Sequence, residues 1–227
     1  MSIKKINWDK FWKDKISPLH HSENISFYKI YAKELRLLMN DENPNSLLEI
    51  ACGSGELFSL LGFDKIKKYI GIDFSDSMLN QFIKKYPEVT VLRKDACQYI
   101  TQERYDIIFC NAALQCFPFK KINLFFKNMR KMMKPHSLLT CASLPLKPLK
   151  KSYHSLSVYG KKQNFLASSY SLLNSFLCDT MGHWFTFDEL IEFAKKENFE
   201  ITFHGSFVYP YRIHAVLKIP NNESKSN

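Results

Sequence analysis

The chain has 227 residues, 45% of them hydrophobic and 24% charged, which fits one globular domain with a buried core. No run of about 18 apolar residues occurs, so the sequence excludes an obvious membrane-spanning helix. The charged, aromatic N-terminus also lacks the apolar segment of a secretory signal, and we therefore expect a cytoplasmic protein.

The six cysteines predict no metal site, because none of them forms a CxxC pair or another metal-like spacing. Most of them lie in apolar runs, where cysteine usually serves as a small buried hydrophobic residue. We expect them to be reduced and structural.

The net charge of +10 arises from one part of the chain. No acidic residue lies between Asp106 and Asp179, whereas this stretch contains eleven of the 32 Lys and Arg residues. The remaining 21 basic residues nearly balance the 22 acidic ones. Two interpretations stay open: a lysine-rich solvated surface, or a positive field that attracts an anionic partner.

Apolar runs alternate with helical patterns along the first two thirds of the chain. Strands are predicted at 46–50, 68–73, 89–95, 104–112 and 137–144. Helices are predicted at 24–40, 56–62, from Asp76 to about Tyr86, and from about 120 to 134, where Pro135 ends the last one. This alternation predicts an α/β fold with a mostly parallel sheet and helices on both faces.

The last third interrupts the alternation and then resumes it. Residues 145–185 fit no strand-helix unit, and we expect an inserted cap after the fifth strand. Thr186 and Glu189 then predict a helix N-terminus with a capping box, followed by strands at 199–207 and 211–219. The predicted organisation is one domain over 1–219, with an N-terminal helical segment at 1–45 and a disordered tail at 220–227.

Polar residues stand at the ends of four predicted strands. The first strand leads into the segment LLEIACGSGEL, in which Gly53 and Gly55 let backbone approach a ligand closely. The next three strands end in Asp73, Asp95 and Asn111, and a carboxylate about 20 residues past a glycine loop is typical of ribose binding. Because ligands of open parallel sheets bind beyond the carboxyl ends of the strands, these residues predict a nucleotide-type site.

The segments LLEIACGSGEL, YIGIDFSDSML, KDACQYI and YDIIFCNAALQCF resemble the successive motifs of class I, Rossmann-like S-adenosylmethionine-dependent methyltransferases, over roughly residues 46–117. The similarity continues more loosely to the last strands. It implies a seven-stranded Rossmann-like sheet, methyltransferase activity, S-adenosylmethionine as cofactor and S-adenosylhomocysteine as product. Two departures are Ala51 in place of the family's first glycine, and Pro135-His136-Ser137 in place of its Pro-Gly-Gly turn.

By this resemblance, twelve residues bind the cofactor: Glu49, Ala51, Cys52, Gly53, Gly55, Asp73, Phe74, Met78, Asp95, Ala96, Asn111 and Ala112. Glu49 is implied to hold the methionine amino group, with backbone from Ala51 to Gly55 along the methionine side. Asp73 is implied to accept both ribose hydroxyls.

The remaining contacts that the resemblance implies concern the two ends of the cofactor. Phe74 and Met78 pack on the adenine, and Asp95 takes its exocyclic amine, with Ala96 beside it. Asn111 and Ala112 lie under the methionine part, beside the reacting methyl group.

A dinucleotide-dependent dehydrogenase is the competing class, because it shares the sheet and the glycine loop. Carboxylates at Glu49 and Glu56 disfavour a pyrophosphate there and suit a ligand with a cationic amine and sulfonium. A non-catalytic S-adenosylmethionine-binding module that kept the fold is an alternative of another class. We expect such a protein to lose the glycine loop or Asp73, and this sequence has both.

Candidates for acceptor binding come from the fourth strand end, the cap and the N-terminus. The candidate catalytic residues are Gln115, which can orient a group but is no base, and the cap histidines His154 and His183, each of which has a structural reading as well. The candidate substrate or cap residues are Trp12, Gln115, Tyr153, Tyr159 and Trp184. No membrane span is expected, and the oligomeric state stays open.

The cap resembles those of small-molecule methyltransferases, and its five lysines predict a small, anionic acceptor. A sugar, a phosphorylated compound or a secondary metabolite, methylated at oxygen or nitrogen, fits this expectation. An RNA, tRNA or protein substrate bound to the basic 118–163 surface is the alternative within the class. Against a nucleic-acid substrate, Asn111 is followed by two alanines and not by the Pro-Pro-aromatic signature of exocyclic amino-group methylation.

Overall fold

The computed structural model of the chain describes residues 25–39, 44–155, 157 and 181–220. Predictions for 1–24, for most of the cap (158–180) and for the tail at 221–227 lie outside these residues. Among the described residues, no helix is long and apolar enough to cross a membrane.

One seven-stranded sheet organises the described residues, in the order β3-β2-β1-β4-β5-β7-β6. The strands are β1 (Ser46–Ile50), β2 (Lys68–Asp73), β3 (Val91–Arg93), β4 (Tyr105–Asn111), β5 (Met133–Pro145), β6 (Glu200–Gly205) and β7 (Arg212–Lys218). Strands β1 to β5 pair with one another in parallel, whereas β7 is antiparallel to both β5 and β6. The predicted Rossmann-like, mostly parallel seven-stranded sheet is confirmed.

Helices cover both faces of this sheet. They are α1 (Ile25–Met39), α2 (Asp76–Lys85), α3 (Ile122–Lys131), the short α4 (Lys150–His154) and α5 (Phe187–Lys196). Apolar side chains of α3 and α5 pack on one face and those of α1 and α2 on the other, forming two core clusters. The central strand β1 is buried along its whole length, as a parallel strand between two helical layers must be.

Short 3-10 turns connect several of these elements. They span Phe63–Lys65, Leu114–Cys116, Phe119–Lys121 and Lys147–Leu149.

Two predictions about helices are wrong. Residues 56–62 form a series of turns and no α-helix, with Gly62 in the left-handed region at φ 78° and its N–H bonded to the Ser59 carbonyl at 3.0 Å. Pro135 does not end the lysine-rich helix, which stops at Lys131; it lies inside β5 instead. Because β5 begins at Met133, Pro135 falls near the start of a strand, where a missing N–H is tolerated.

Two residues that replace glycines of the family pattern have unusual backbone conformations. Ala51 and His136 both adopt left-handed conformations, with φ of 54° and 65°, where glycine would be free of strain. Both residues therefore have a backbone conformation that glycine adopts more easily.

The predicted capping box of the late helix is present. The Thr186 hydroxyl accepts from the Glu189 N–H at 3.1 Å, and the Glu189 carboxylate accepts from the Thr186 N–H at 2.8 Å. This cap fixes the entry to α5 and the position of the preceding segment 181–185.

Candidate active site

The glycine loop after β1 has both of its glycines in the left-handed backbone region. Gly53 and Gly55 have φ of 57° and 73°, and the Gly55 N–H donates to the Cys52 carbonyl at 3.2 Å. A Cβ on Gly53 would meet nothing within 4 Å, so the backbone faces open space there, whereas one on Gly55 would lie 2.7 Å from the Phe82 ring. The loop therefore offers exposed backbone at Gly53 and tight packing at Gly55.

Asp73 ties the end of β2 to this loop. Its Oδ2 accepts from the Gly53 N–H at 3.0 Å, and its Oδ1 accepts from the Ser75 N–H at 2.9 Å. Burial raises the pKa of Asp73, and these backbone hydrogen bonds act in the opposite direction. The carboxylate is thus fixed beside the loop, with lone pairs left for a ligand hydroxyl.

Glu49 is a buried carboxylate next to the same loop. The Tyr69 hydroxyl donates to its Oε2. Burial raises the pKa of Glu49 to about 8 despite that hydrogen bond, and the nearby charge of Asp73 adds to the rise. A ligand that brings a positive charge would relieve the cost of ionising Glu49.

A shallow depression lies at the ends of β2 and β3. Phe74, Arg93, Lys94 and Asp95 line it. Partial burial acts to raise the pKa of Asp95, but the hydrogen bond from Lys121, at 3.0 Å from Oδ2, contributes most to holding it below its ordinary value. An apolar ring beside an ionised carboxylate suits a planar base that carries an amine.

At the other end of the site, Asn111 closes β4 and is held by a residue from α1. The Tyr31 hydroxyl donates to Asn111 Oδ1 at 2.6 Å and lies 2.6 Å from the Ser143 hydroxyl. Because Oδ1 is occupied, the amide presents its NH₂ group to other partners. Ser143 itself has a left-handed φ of 60° at an irregularity in the pairing of β5 with β7.

The buried side chain of His214 forms a hydrogen bond with the backbone at this irregularity. His214 Nδ1 accepts from the Ser143 N–H at 3.1 Å, so its Nε2 carries the proton and donates to Glu34 at 2.6 Å. Burial lowers the pKa of His214, more than Glu34 raises it. Glu34 also accepts the N–H groups of Phe207 and Val208, both at 3.1 Å, and thereby links α1 to the segment between β6 and β7.

The predicted candidates Gln115 and His183 lie close to each other. Gln115 Nε2 donates to the Ala112 carbonyl at 2.7 Å, and its Oε1 is buried with no hydrogen-bond partner. The His183 N–H donates to the Gln115 carbonyl at 2.8 Å. The His183 ring, however, lies 3.3 Å from Glu189 and packs against Phe119, which favours a structural role at the start of α5.

His154 belongs to a different group, an aromatic cluster that we define as Tyr153, His154, Trp184, Tyr209 and Tyr211. The Tyr153 ring lies 5.5 Å from Trp184 and 4.4 Å from Tyr211, and His154 lies 6.1 Å from Trp184. Lys150 Nζ is 5.8 Å from the Trp184 ring centre. The structure thus separates the two candidate histidines and joins His154 to two predicted cap residues.

Sequence reasoning missed three residues of this edge: Tyr31, Ser143 and Arg212. Tyr31 follows the helical spacing of a buried face, and Arg212 stands just after two tyrosines at a strand start, which is at most a weak signal. The predicted Trp12 and Tyr159 lie outside the described residues.

The strand order, the glycine loop after β1 and the carboxylates at the ends of the next strands are the arrangement expected of a class I methyltransferase. Residues 47–136 match the family described as "Methyltransferase domain", a sequence match that covers β1 through the start of β5. These residues therefore form a methyltransferase domain, and the predictions of an S-adenosylmethionine-dependent methyltransferase, of its Rossmann-like fold and of its cofactor are confirmed. No curated protein matches it in a sequence comparison.

Solved structures with this fold are distant in sequence. A methyltransferase from Clostridium acetobutylicum has 13% identity and a TM-score of 0.65, and the match covers 94% of this chain and 99% of that one. Magnesium protoporphyrin IX methyltransferase from Synechocystis, with S-adenosylmethionine bound, has 13% identity and a TM-score of 0.58, covering 93% and 89%. A glycopeptide N-methyltransferase, also solved with S-adenosylmethionine, has 11% identity and a TM-score of 0.61, covering 85% and 94%.

Proposed function

We propose that the chain transfers a methyl group from S-adenosylmethionine to a small, anionic acceptor, at oxygen or nitrogen. One observation carries the proposal: two chemically different groups of side chains lie at the carboxyl edge of the sheet. Buried carboxylates lie on the β1 and β2 side, whereas an arginine, three lysines and an aromatic cluster lie where β5 ends and β7 begins.

The carboxylate side fits the cofactor. Glu49 would hold the amino group of the methionine part, Asp73 the ribose hydroxyls, and Phe74 with Asp95 the adenine. The open backbone at Gly53 and the depression beside Asp95 leave room for these groups. When bound, the cofactor supplies the activated methyl group, and the protein's part is to hold an acceptor atom in line with it.

The acceptor side fits an anion with an apolar or ring-shaped body. The described cap residues Lys147, Lys150 and Lys151 follow β5 directly, and the aromatic cluster offers flat apolar surfaces beside them. Two structural neighbours are named for a glycopeptide and a porphyrin substrate, which supports a non-polymeric acceptor here. Gln115 Oε1, buried and without a partner, would orient the acceptor, and His154 is the candidate base.

The distribution of basic residues does not favour a nucleic acid. Lys134 lies at the amino end of β5, where it bonds Asp106 at 2.8 Å, and Lys121 pairs with Asp95 at the opposite edge. These two lysines therefore lie at opposite edges of the sheet, and each is paired with a carboxylate. A cytoplasmic location belongs to the same proposal, since the five described cysteines are free thiols, as expected in a reducing compartment.

Turnover on a panel of acceptors tests the proposal. S-adenosylhomocysteine release is followed with sugar phosphates, nucleotide sugars, carboxylate metabolites, their uncharged analogues, and RNA. We expect release with one or more anionic small molecules and a lower kcat/KM for the uncharged analogue. Release with RNA alone, or cofactor binding without turnover on any acceptor, would overturn it.

Cofactor affinity is expected to increase with pH because of Glu49. With a pKa of about 8 in the free protein, Glu49 is mostly protonated at neutral pH, and pairing with an ammonium group requires its ionised form. Binding therefore releases a proton, and affinity should rise between about pH 6 and pH 7.5 by up to about tenfold per pH unit.

Calorimetric titration with S-adenosylhomocysteine, in buffers of different ionisation enthalpy, measures both the affinity and the released proton. Glu49→Gln should bind more weakly and lose the pH dependence, whereas Glu103→Gln, at an exposed pair with Lys68, should behave as wild type. Equal pH slopes in the wild type and Glu49→Gln would show that Glu49 does not meet the amino group.

A further inference from the structure

Arg212 lies at the point where the acceptor side meets the strand ends. It is the first residue of β7 and pairs with Pro145, the last residue of β5. Its Nη1 donates to the Ser143 carbonyl, and its Nη2 lies 3.8 Å from Met181 Sδ, in the segment that enters α5. These contacts hold the guanidinium between β5 and the end of the cap.

Two rings of the aromatic cluster flank the same guanidinium. Its carbon lies 5.6 Å from the Tyr209 ring centre and 5.3 Å from that of Tyr211. Such stacking stabilises a cation and fixes its plane while leaving its N–H edges available.

Arg212 has no anionic partner within the described part of the chain. No Asp or Glu there forms an ion pair with it, and its Nε is buried without a hydrogen-bond partner. A part-buried charge without a counterion is costly, and a ligand anion would offset that cost.

A chain of hydrogen bonds places this cation near the methionine end of the cofactor site. Arg212 bonds the Ser143 carbonyl, the Ser143 hydroxyl contacts the Tyr31 hydroxyl at 2.6 Å, and Tyr31 bonds Asn111 at 2.6 Å. Asn111 ends β4, which pairs with β1, the strand that leads into the glycine loop. Arg212 is therefore separated from the strand ends of the cofactor site by only two side chains.

We propose that Arg212 binds the oxyanion group of the methyl acceptor, a carboxylate or a phosphate, and thereby selects the acceptor; this rests on the proposed function. A guanidinium fork matches both groups through two parallel hydrogen bonds. The lysines at 147, 150 and 151 increase the local concentration of anions, whereas Arg212 determines which group docks beside the methyl donor.

Anion binding to the protein loaded with S-adenosylhomocysteine tests this without turnover. Inorganic phosphate, acetate and the uncharged acetamide are titrated at constant ionic strength, with thermal shift and calorimetry as readouts. The wild type should bind one or both anions and not acetamide, and Arg212→Gln should weaken that binding by about tenfold or more. Comparing phosphate with acetate identifies the preferred oxyanion.

Arg130→Gln is the matched control, because Arg130 also bonds a backbone carbonyl, that of Asn198 at 3.3 Å, and lies over an aromatic ring, that of Phe199 at 5.6 Å. It should leave anion binding unchanged, and all variants should keep the affinity for S-adenosylhomocysteine. Arg212→Lys, which keeps the charge, covers the case in which the Gln variant does not fold, and it should bind anions more weakly than wild type.

Absence of saturable anion binding to the wild type, or equal weakening in Arg130→Gln, would overturn the role of Arg212. Because these readouts need no turnover, they are independent of the acceptor panel. Methylation of uncharged acceptors alone, at equal kcat/KM in wild type and Arg212→Gln, would refute anion selection while leaving methyl transfer intact.

Discussion

Asp73→Asn is expected to weaken binding of S-adenosylhomocysteine by about ten- to a hundredfold. A hydrogen bond to a charged group contributes about 1.5–3 kcal/mol, and each 1.4 kcal/mol is about a factor of ten in affinity. Each oxygen of Asp73 now accepts one backbone N–H group, from Gly53 or from Ser75. In the asparagine variant, an NH₂ group would face one of these two donors and could not accept its hydrogen bond. The substitution thus removes a ligand contact and loosens the loop at once.

The same substitution should change stability much less than affinity. Burial raises the pKa of Asp73 because it disfavours the ionised carboxylate. A neutral amide at this position does not carry that cost. Calorimetry measures the affinity and thermal unfolding measures the stability of the free protein.

Asp76→Asn is the control for Asp73→Asn, three residues further along. Asp76 is an exposed carboxylate in the first turn of α2, paired with Arg93 at 3.2 Å, and it makes no contact with the glycine loop. We expect it to bind the cofactor product as tightly as wild type. Equal affinities for wild type and Asp73→Asn would contradict the assignment of Asp73 to the ribose.

Gly182→Ala is expected to destabilise the protein by about 2–4 kcal/mol. Its φ of 80° is unfavourable for an L-residue, and an added Cβ would lie 2.4 Å from the Gln115 carbonyl oxygen. That oxygen is backbone and already accepts the His183 N–H, so it cannot move aside cheaply. Left-handed strain of about 1–2 kcal/mol and an overpacking cost of about 1–3 kcal/mol combine here.

Thermal unfolding should register this as a lower Tm, by roughly 2–4 °C for each kcal/mol in a chain of this size. Turnover should fall as well, because the 181–185 segment carries Trp184 and contacts Arg212, whereas affinity for S-adenosylhomocysteine should persist. Gly205→Ala is the control: a Cβ there meets nothing within 4 Å and its φ is ordinary. A Tm for Gly182→Ala equal to that of the control would show that this segment does not pack on Gln115.

The cofactor side could be predicted from sequence because its signals are local. Strand β1 is buried throughout and β2 over its last three residues, their ends carry the glycine loop and Asp73, and both strands have the predicted bounds. The helix predicted at 56–62 is wrong because the chain turns at Gly62, and Phe58 and Phe63 on either side of it are both buried. Local pattern does not reveal such an override of helical spacing.

The acceptor side could not be predicted in the same way, because its contacts join distant segments. Tyr31 meets Ser143 across 112 positions, and Arg212 meets Ser143 across 69. Both contacts involve Ser143 at the irregularity in β5, and the contact of Arg212 also depends on the register of the antiparallel β7, which no short motif encodes. Tyr153 and Trp184 were predicted as cap residues, but their contact with Tyr211 required the structure.

The irregularity of β5 at Ser143 lies just beyond the segment that matches the methyltransferase family. The family match ends at residue 136, seven positions before Ser143, while Tyr31, Trp184 and Arg212 lie outside the matched segment. If these residues bind the acceptor as proposed, substitutions in α1, the cap and β7 can change the acceptor without altering the part of the chain that carries the cofactor motifs. Directed evolution of acceptor range should then begin with the residues around Ser143.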